Sequence, residues 1–156
     1  MTRPAPSVSY RGGVVISRAI YHGIAAATAY ARVDGFGQVT GAHLIVAFLQ
    51  DRGSVVAQAA GDEEPQPTLH QLLITEGEPR IDARGSAPVP LAPDVYDAVM
   101  SAERATPVPT TGHVLLRLLA DGDSDTSARL TCLGMDPRAL AARTARLLCT
   151  GTTDLG

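Results

Sequence analysis

Apolar residues recur along this chain at helical spacing. Ile20, Ile24, Ala27 and Ala31 are separated by 4, 3 and 4 residues, which traces one face of a helix. Ser17 precedes that stripe as an N-cap, and Gly35 and Gly37 follow it as a stop. The run Leu44-Ile45-Val46-Ala47-Phe48-Leu49 predicts a second, buried helix, capped by Thr40 or Gly41. Ser54 predicts the cap of a short helix through Ala60, with Gly61 as its stop. Leu69 to Thr75 predicts a fourth. The stretch 62–67 is an acidic, proline-bearing loop, and 77–90 is punctuated by Gly and Pro. Pro93 suits a first helical position, so a helix is predicted from Asp94 to about Ala105, stopped by Pro107 and Pro109. Another follows His113. Asp123 to Leu133 predicts the next, with Gly134 as C-cap, and Asp136-Pro137 opens a last helix ending near Leu148. No segment alternates convincingly as a strand, so the pattern reads as all-α. Residues 1–13 read as a flexible lead.

The pattern also repeats. Val39-Thr40-Gly41-Ala42-His43-Leu44 is echoed by Pro109-Thr110-Thr111-Gly112-His113-Val114. His43 and His113 lie 70 residues apart, as do Thr40 and Thr110, and Asp51 and Asp121. The helix starts Ser17 and Ala92 are 75 apart, and so are Tyr21 and Tyr96. A repeat of this kind predicts one supersecondary unit used twice. The expected architecture is a tandem of two four-helix units related by a pseudo-twofold axis within one domain over 14–150. Repeat one covers about 14–76, a linker 77–91, and repeat two about 92–150. Leu44, Phe48, Leu49, Val114, Leu118 and Leu119 are the expected core.

Composition narrows the function. The chain has 156 residues, 45% hydrophobic and 19% charged, enough for one good core. Its net charge is −3 and it contains no Lys, which argues against nucleic acid as a partner. No apolar run approaches the roughly 18 residues of a spanning helix, so no membrane insertion is expected. Met1 to Pro6 lacks a signal h-region, and Cys132 and Cys149 read as reduced thiols, so the expected setting is cytoplasmic.

The order of elements resembles the double Clp repeat, the N-terminal domain of Clp/Hsp100 unfoldases. The family motif Gly-Thr-Glu-His-Leu-Leu is matched by the stretches around His43 and His113. The family's Ala-x-x-Leu-Leu-x-x-Leu-Gly-Val-Asp is matched by Ala128-Arg129-Leu130-Thr131-Cys132-Leu133-Gly134-Met135-Asp136. The resemblance implies a double Clp N-domain fold and a role in docking substrates or adaptors of a Clp protease. It also covers stand-alone actinobacterial versions that bind cyclic peptide antibiotics. Three departures matter. Ala42 and Gly112 stand where the motif has Glu, so the family's phosphoarginine contact loses the anion a guanidinium requires. The second copy is five residues shorter between helix start and His. No Gly-x-x-x-x-Gly-Lys-Ser/Thr occurs, so no ATPase is expected.

Candidate chemistry is sparse. His43 and His113 sit in first helical turns and read as packing and hydrogen-bonding residues. Asp121-Gly122-Asp123-Ser124-Asp125 starts like a calcium loop but has Thr126 at loop position six and Cys132 at position twelve, so it is rejected. No Ser-His-Asp set, metal quartet or phosphate-cradling loop is present, so no catalytic residue, metal or cofactor is expected. Tyr21 and Tyr96, equivalent in the two copies, suit a shared peptide or macrocycle groove, with Leu91 beside them. The helix starts Thr40, Gly41, Ala42 and Thr110, Thr111, Gly112 are expected nearby, offering free backbone N–H groups to a ligand carbonyl or anion. The expectation is a non-catalytic module for a peptide or small natural product, or an adaptor or decoy for a Clp unfoldase and its substrates. The alternative is a biosynthetic enzyme or accessory protein on the same fold, with His43, His113, Tyr21 or Tyr96 as proton donors.

Overall fold

A computed structural model describes residues 8–11, 14–61, 89–120, 125–132 and 134–154. Seven helices lie among them: α1 (Arg18–Asp34), α2 (Gly41–Gln50), α3 (Val55–Ala60), α4 (Pro93–Ala105), α5 (Thr111–Leu118), α6 (Asp125–Cys132) and α7 (Pro137–Cys149). The fold is all-α, as the 3.6-residue periodicity requires. The helix expected over 69–75 and most of the linker expected over 77–91 fall outside the described residues.

A short antiparallel hairpin precedes α1, which the strand-free reading does not contain. β1 (Val8–Arg11) pairs with β2 (Val14–Ser17), Val8 opposite Ser17 and Arg11 opposite Val14. The sequence cue is local: a Gly-Gly pair beside the β-branched run Val14-Val15-Ile16. β1 thus lies inside the stretch read as a flexible lead. β2 touches both α1 and α4.

Local chemistry sets the helix ends. α1 stops where Gly35 takes φ 78° and Phe36 N–H reaches back to the Ala31 carbonyl at 2.8 Å, a glycine-terminated turn. That bond swings the Phe36 ring into the core. Ser54 caps α3 by accepting the Ala57 N–H at 3.0 Å, and its own hydroxyl donates to the Phe48 carbonyl. Asp136 caps α7 over Arg138 and Ala139, with Pro137 at the first helical position.

Packing follows the apolar stripes. α1 lies along α2, and α4 along α5. At Gly23 the α1 backbone comes so close to Phe48 that an added Cβ would stand 2.3 Å from the ring edge, so only glycine permits this approach. Ile20, Phe36, Leu44, Ile45, Phe48, Leu115, Leu130 and Leu140 are fully buried in one continuous core. Each such side chain contributes about 1.5–3 kcal/mol over its exposed state. Leu44, Phe48, Leu49, Val114 and Leu118 are buried as expected. Leu119 is only partly buried, because it sits at the C-cap of α5 rather than inside it.

The early and late parts of the chain are interleaved. α2 packs on α6 while α3 packs on α5 and α7. Gly41 meets Thr126, and Gly112 meets Val55 and Thr144. The strand-like segments before α2 and α4 also join: Val39 N–H donates to the Pro90 carbonyl at 2.8 Å, and Ala92 N–H to the Val39 carbonyl at 2.9 Å.

Candidate functional site

The two helix starts that carry the repeated motif are built alike. Thr40 Oγ1 accepts the His43 amide at 3.3 Å, and His43 Nδ1 accepts the Thr40 amide at 3.3 Å. Thr110 and His113 repeat this at 3.4 and 3.0 Å. Each is a capping box with His where Glu or Gln is usual. An amide N–H can only donate, so Nδ1 of both rings is unprotonated, and the neutral ring carries its proton on Nε2. His43 is also buried edge-on to Phe36, 4.6 Å between centroids.

Thr40, Gly41, Ala42, Thr110, Thr111 and Gly112 are all buried. The Thr–His boxes engage the Thr40, His43, Thr110 and His113 amides. Packing is close at two of these residues: Thr126 of α6 lies on Gly41, and Val55 of α3 on Gly112. The position of the missing second-copy Glu is closed as well. A Cβ on Gly112 would stand 2.7 Å from Val55 Cγ1 and 3.0 Å from Thr144 Cγ2.

At the second helix start an acid from far along the chain supplies a carboxylate. The Asp154 carboxylate accepts the Thr111 amide at 2.9 Å, the Thr111 hydroxyl at 2.7 Å and the Val55 amide at 2.8 Å. Sequence reasoning missed Asp154. Its partners lie 43 and 99 residues away, and no local pattern announces them. His113 stands near this acid. Burial lowers its pKa from the ordinary imidazole value, and the Asp154 charge partly opposes that shift. Burial alone raises Tyr30, whose hydroxyl bonds the Gln50 side chain.

The tyrosines behave differently. Tyr21, on the first turn of α1, is 46% exposed, and Tyr96, on the first turn of α4, is 54% exposed. Two further large apolar side chains are exposed among the described residues, Val33 at 79% and Val108 at 59%. Val33 lies in the last turn of α1, and Val108 lies beyond the end of α4. Leu91 is half-buried at the entry to α4, with its backbone bridged to Val39. Among the described residues, no cluster of three His, Cys, Asp or Glu could hold a metal ion. No described helix is long and apolar enough to cross a membrane.

No protein-family model matches the sequence, and no curated protein matches it significantly. Solved structures do match. The architecture they share with this chain is an all-helical domain. More particularly, the chain has the Clp/Hsp100 N-terminal domain fold. It is similar to the N-terminal domain of the caseinolytic protease associated chaperone ClpD from Arabidopsis thaliana, at 14% identity over 86% of this chain and 94% of that one, TM-score 0.64. It is similar also to the Hsp104 N-terminal domain from Candida albicans, at 17% identity over 86% and 90%, TM-score 0.59.

Proposed function

We propose that this chain is a non-catalytic Clp N-domain-like binding module. Its ligand is a peptide, cyclic peptides and similar natural products included, held on the face that carries Tyr21 and Tyr96. Through that face it serves a Clp-type protease system as adaptor or decoy. The observation that carries the reading is the outward placement of two tyrosines 75 residues apart, while most large apolar side chains among the described residues are buried. A tyrosine offers an apolar face with a polar tip, which suits contact with peptide backbones and apolar side chains. The fold supports the Clp connection. The alternative is an enzyme or accessory protein on the same fold with His43, His113, Tyr21 or Tyr96 as proton donors; both imidazoles are committed at Nδ1 to capping boxes.

Native mass spectrometry of the protein purified from its own host tests the reading. The expected result is a retained peptide-like mass that is absent from a Tyr21→Ala, Tyr96→Ala double variant of unchanged fold. A ligand kept equally well by that variant would overturn the site.

A further inference from the structure

The segment after α7 crosses to helices from the opposite part of the chain. Gly151, at φ 82°, turns the backbone out of α7. Thr152, Thr153 and Asp154 then run past the starts of α3 and α5. The Thr153 carbonyl accepts a bond from the Gln58 side chain at 3.4 Å. The Asp154 carboxylate takes the three donors from Val55 and Thr111. Thr111 Oγ1, while donating to Asp154, also accepts the Val56 amide at 3.4 Å. Val55 and Thr111 are the first residues of their helices, so their amides have no partner within the helix. One carboxylate therefore joins the start of α3 to the start of α5.

What holds this segment differs in kind from what holds the helices. Thr150-Gly151-Thr152-Thr153-Asp154 contains no large apolar side chain, and Thr153 is exposed. Thr150, Gly151 and Thr152 bond back to Leu147 and Leu148 of α7, and the docking on α3 and α5 rests on three bonds to the Asp154 carboxylate and one from Gln58 to Thr153 rather than on buried area. Segments held this way open at low free energy, well below global unfolding.

We propose that residues 150–154 form a detachable strap, clasped by Asp154, that opens as a unit while α3 and α5 stay folded. Opening bares the Val55 and Thr111 amides together and uncouples the two helix starts. This inference does not depend on the role of the tyrosine face.

Native-state hydrogen exchange on the whole protein, followed by NMR, tests it in two arms. In the unaltered chain, the Val55 and Thr111 amides should exchange together by an opening whose rate does not respond to low urea, while Leu44 and Leu115 exchange through urea-sensitive unfolding. In Asp154→Ala, exchange at Val55 and Thr111 should quicken about tenfold or more, since a bond to a charged acceptor is lost at each. Leu44 and Leu115 should keep their urea dependence and quicken by no more than the same factor, since global unfolding includes opening the strap. If Val55 and Thr111 share the urea dependence of Leu44 in the unaltered chain, the strap belongs to the cooperative core and the proposal fails. That arm decides even if the variant does not fold. Unchanged exchange at both amides in a folded Asp154→Ala variant would equally overturn it.

Discussion

Thr110 and His113 cap each other, the His113 ring holding the Thr110 amide at 3.0 Å while Thr110 holds the His113 amide at 3.4 Å. The arrangement needs a neutral ring, because a protonated Nδ1 would face the Thr110 N–H as a second donor. This gives the second helix start a pH dependence. Burial has lowered the folded-state pKa of His113, so the unfolded chain takes up its proton at a higher pH than the folded chain. The stability involved is fully present above the unfolded imidazole value of about 6.5, and is lost as pH falls from there toward the lower folded value. The unfolding midpoint should therefore drop across that window, with a slope of at most about 1.4 kcal/mol per pH unit from this group. His113→Gln, which can still close the box, should flatten that part of the profile. Thermal melts from about pH 8 to about pH 5 check the comparison. An identical slope in both proteins would assign the effect to other groups.

The first-turn caps should matter individually. Thr40→Ala removes the acceptor of the His43 amide at a buried helix start. Its expected cost is about 0.5–2 kcal/mol, measured by urea unfolding. Thr40→Ser keeps the hydroxyl and should recover most of the loss.

Gly112→Ala introduces a Cβ where Val55 and Thr144 already stand. A well-packed neighbourhood gives way poorly, so destabilisation of about 1–3 kcal/mol is expected by the same measurement. Combining it with Val55→Ala should relieve part of the clash, and a double-mutant cycle reads that coupling. Strict additivity would mean the two residues do not press on each other.

Tyr21→Ala and Tyr96→Ala remove exposed side chains. Each should change stability by no more than about 0.5 kcal/mol. A larger loss in either would mark that tyrosine as structural and count against its place on a binding face.

Most helix boundaries were legible in the sequence because they are written locally. Ser54, Pro93, Gly134 and Asp136 act within a few residues of themselves, and the structure uses each where expected. The buried stripe Ile20, Ala27, Ala31 follows from spacing alone. The site was less legible, for a reason that has nothing to do with spacing. Whether Thr40–Ala42 meets solvent or protein is decided by where α6 docks, and no residue of α2 encodes that. Asp154 illustrates the same limit, since an acid near residue 154 looks like any solvated tail residue until α3 and α5 are brought beneath it. The two tyrosines stand out in the sequence because their 75-residue offset is readable without knowing their surroundings.

The crossing of early helices onto late ones bears on how the chain can be divided. α2 finds its cover in α6, and α5 finds part of its cover in α3. A polypeptide ending after Gly61 would leave Gly41 without Thr126, and one beginning at Val89 would leave Gly112 without Val55. Neither piece could bury its own helix starts. Each would have to recruit a complementary piece from solution, in a bimolecular step that the intact chain avoids by tethering the two at high effective concentration. Mixed in equal amounts, two such fragments should gain helicity only as their concentration rises, which makes folding of the split protein a binding reaction with a dissociation constant of its own.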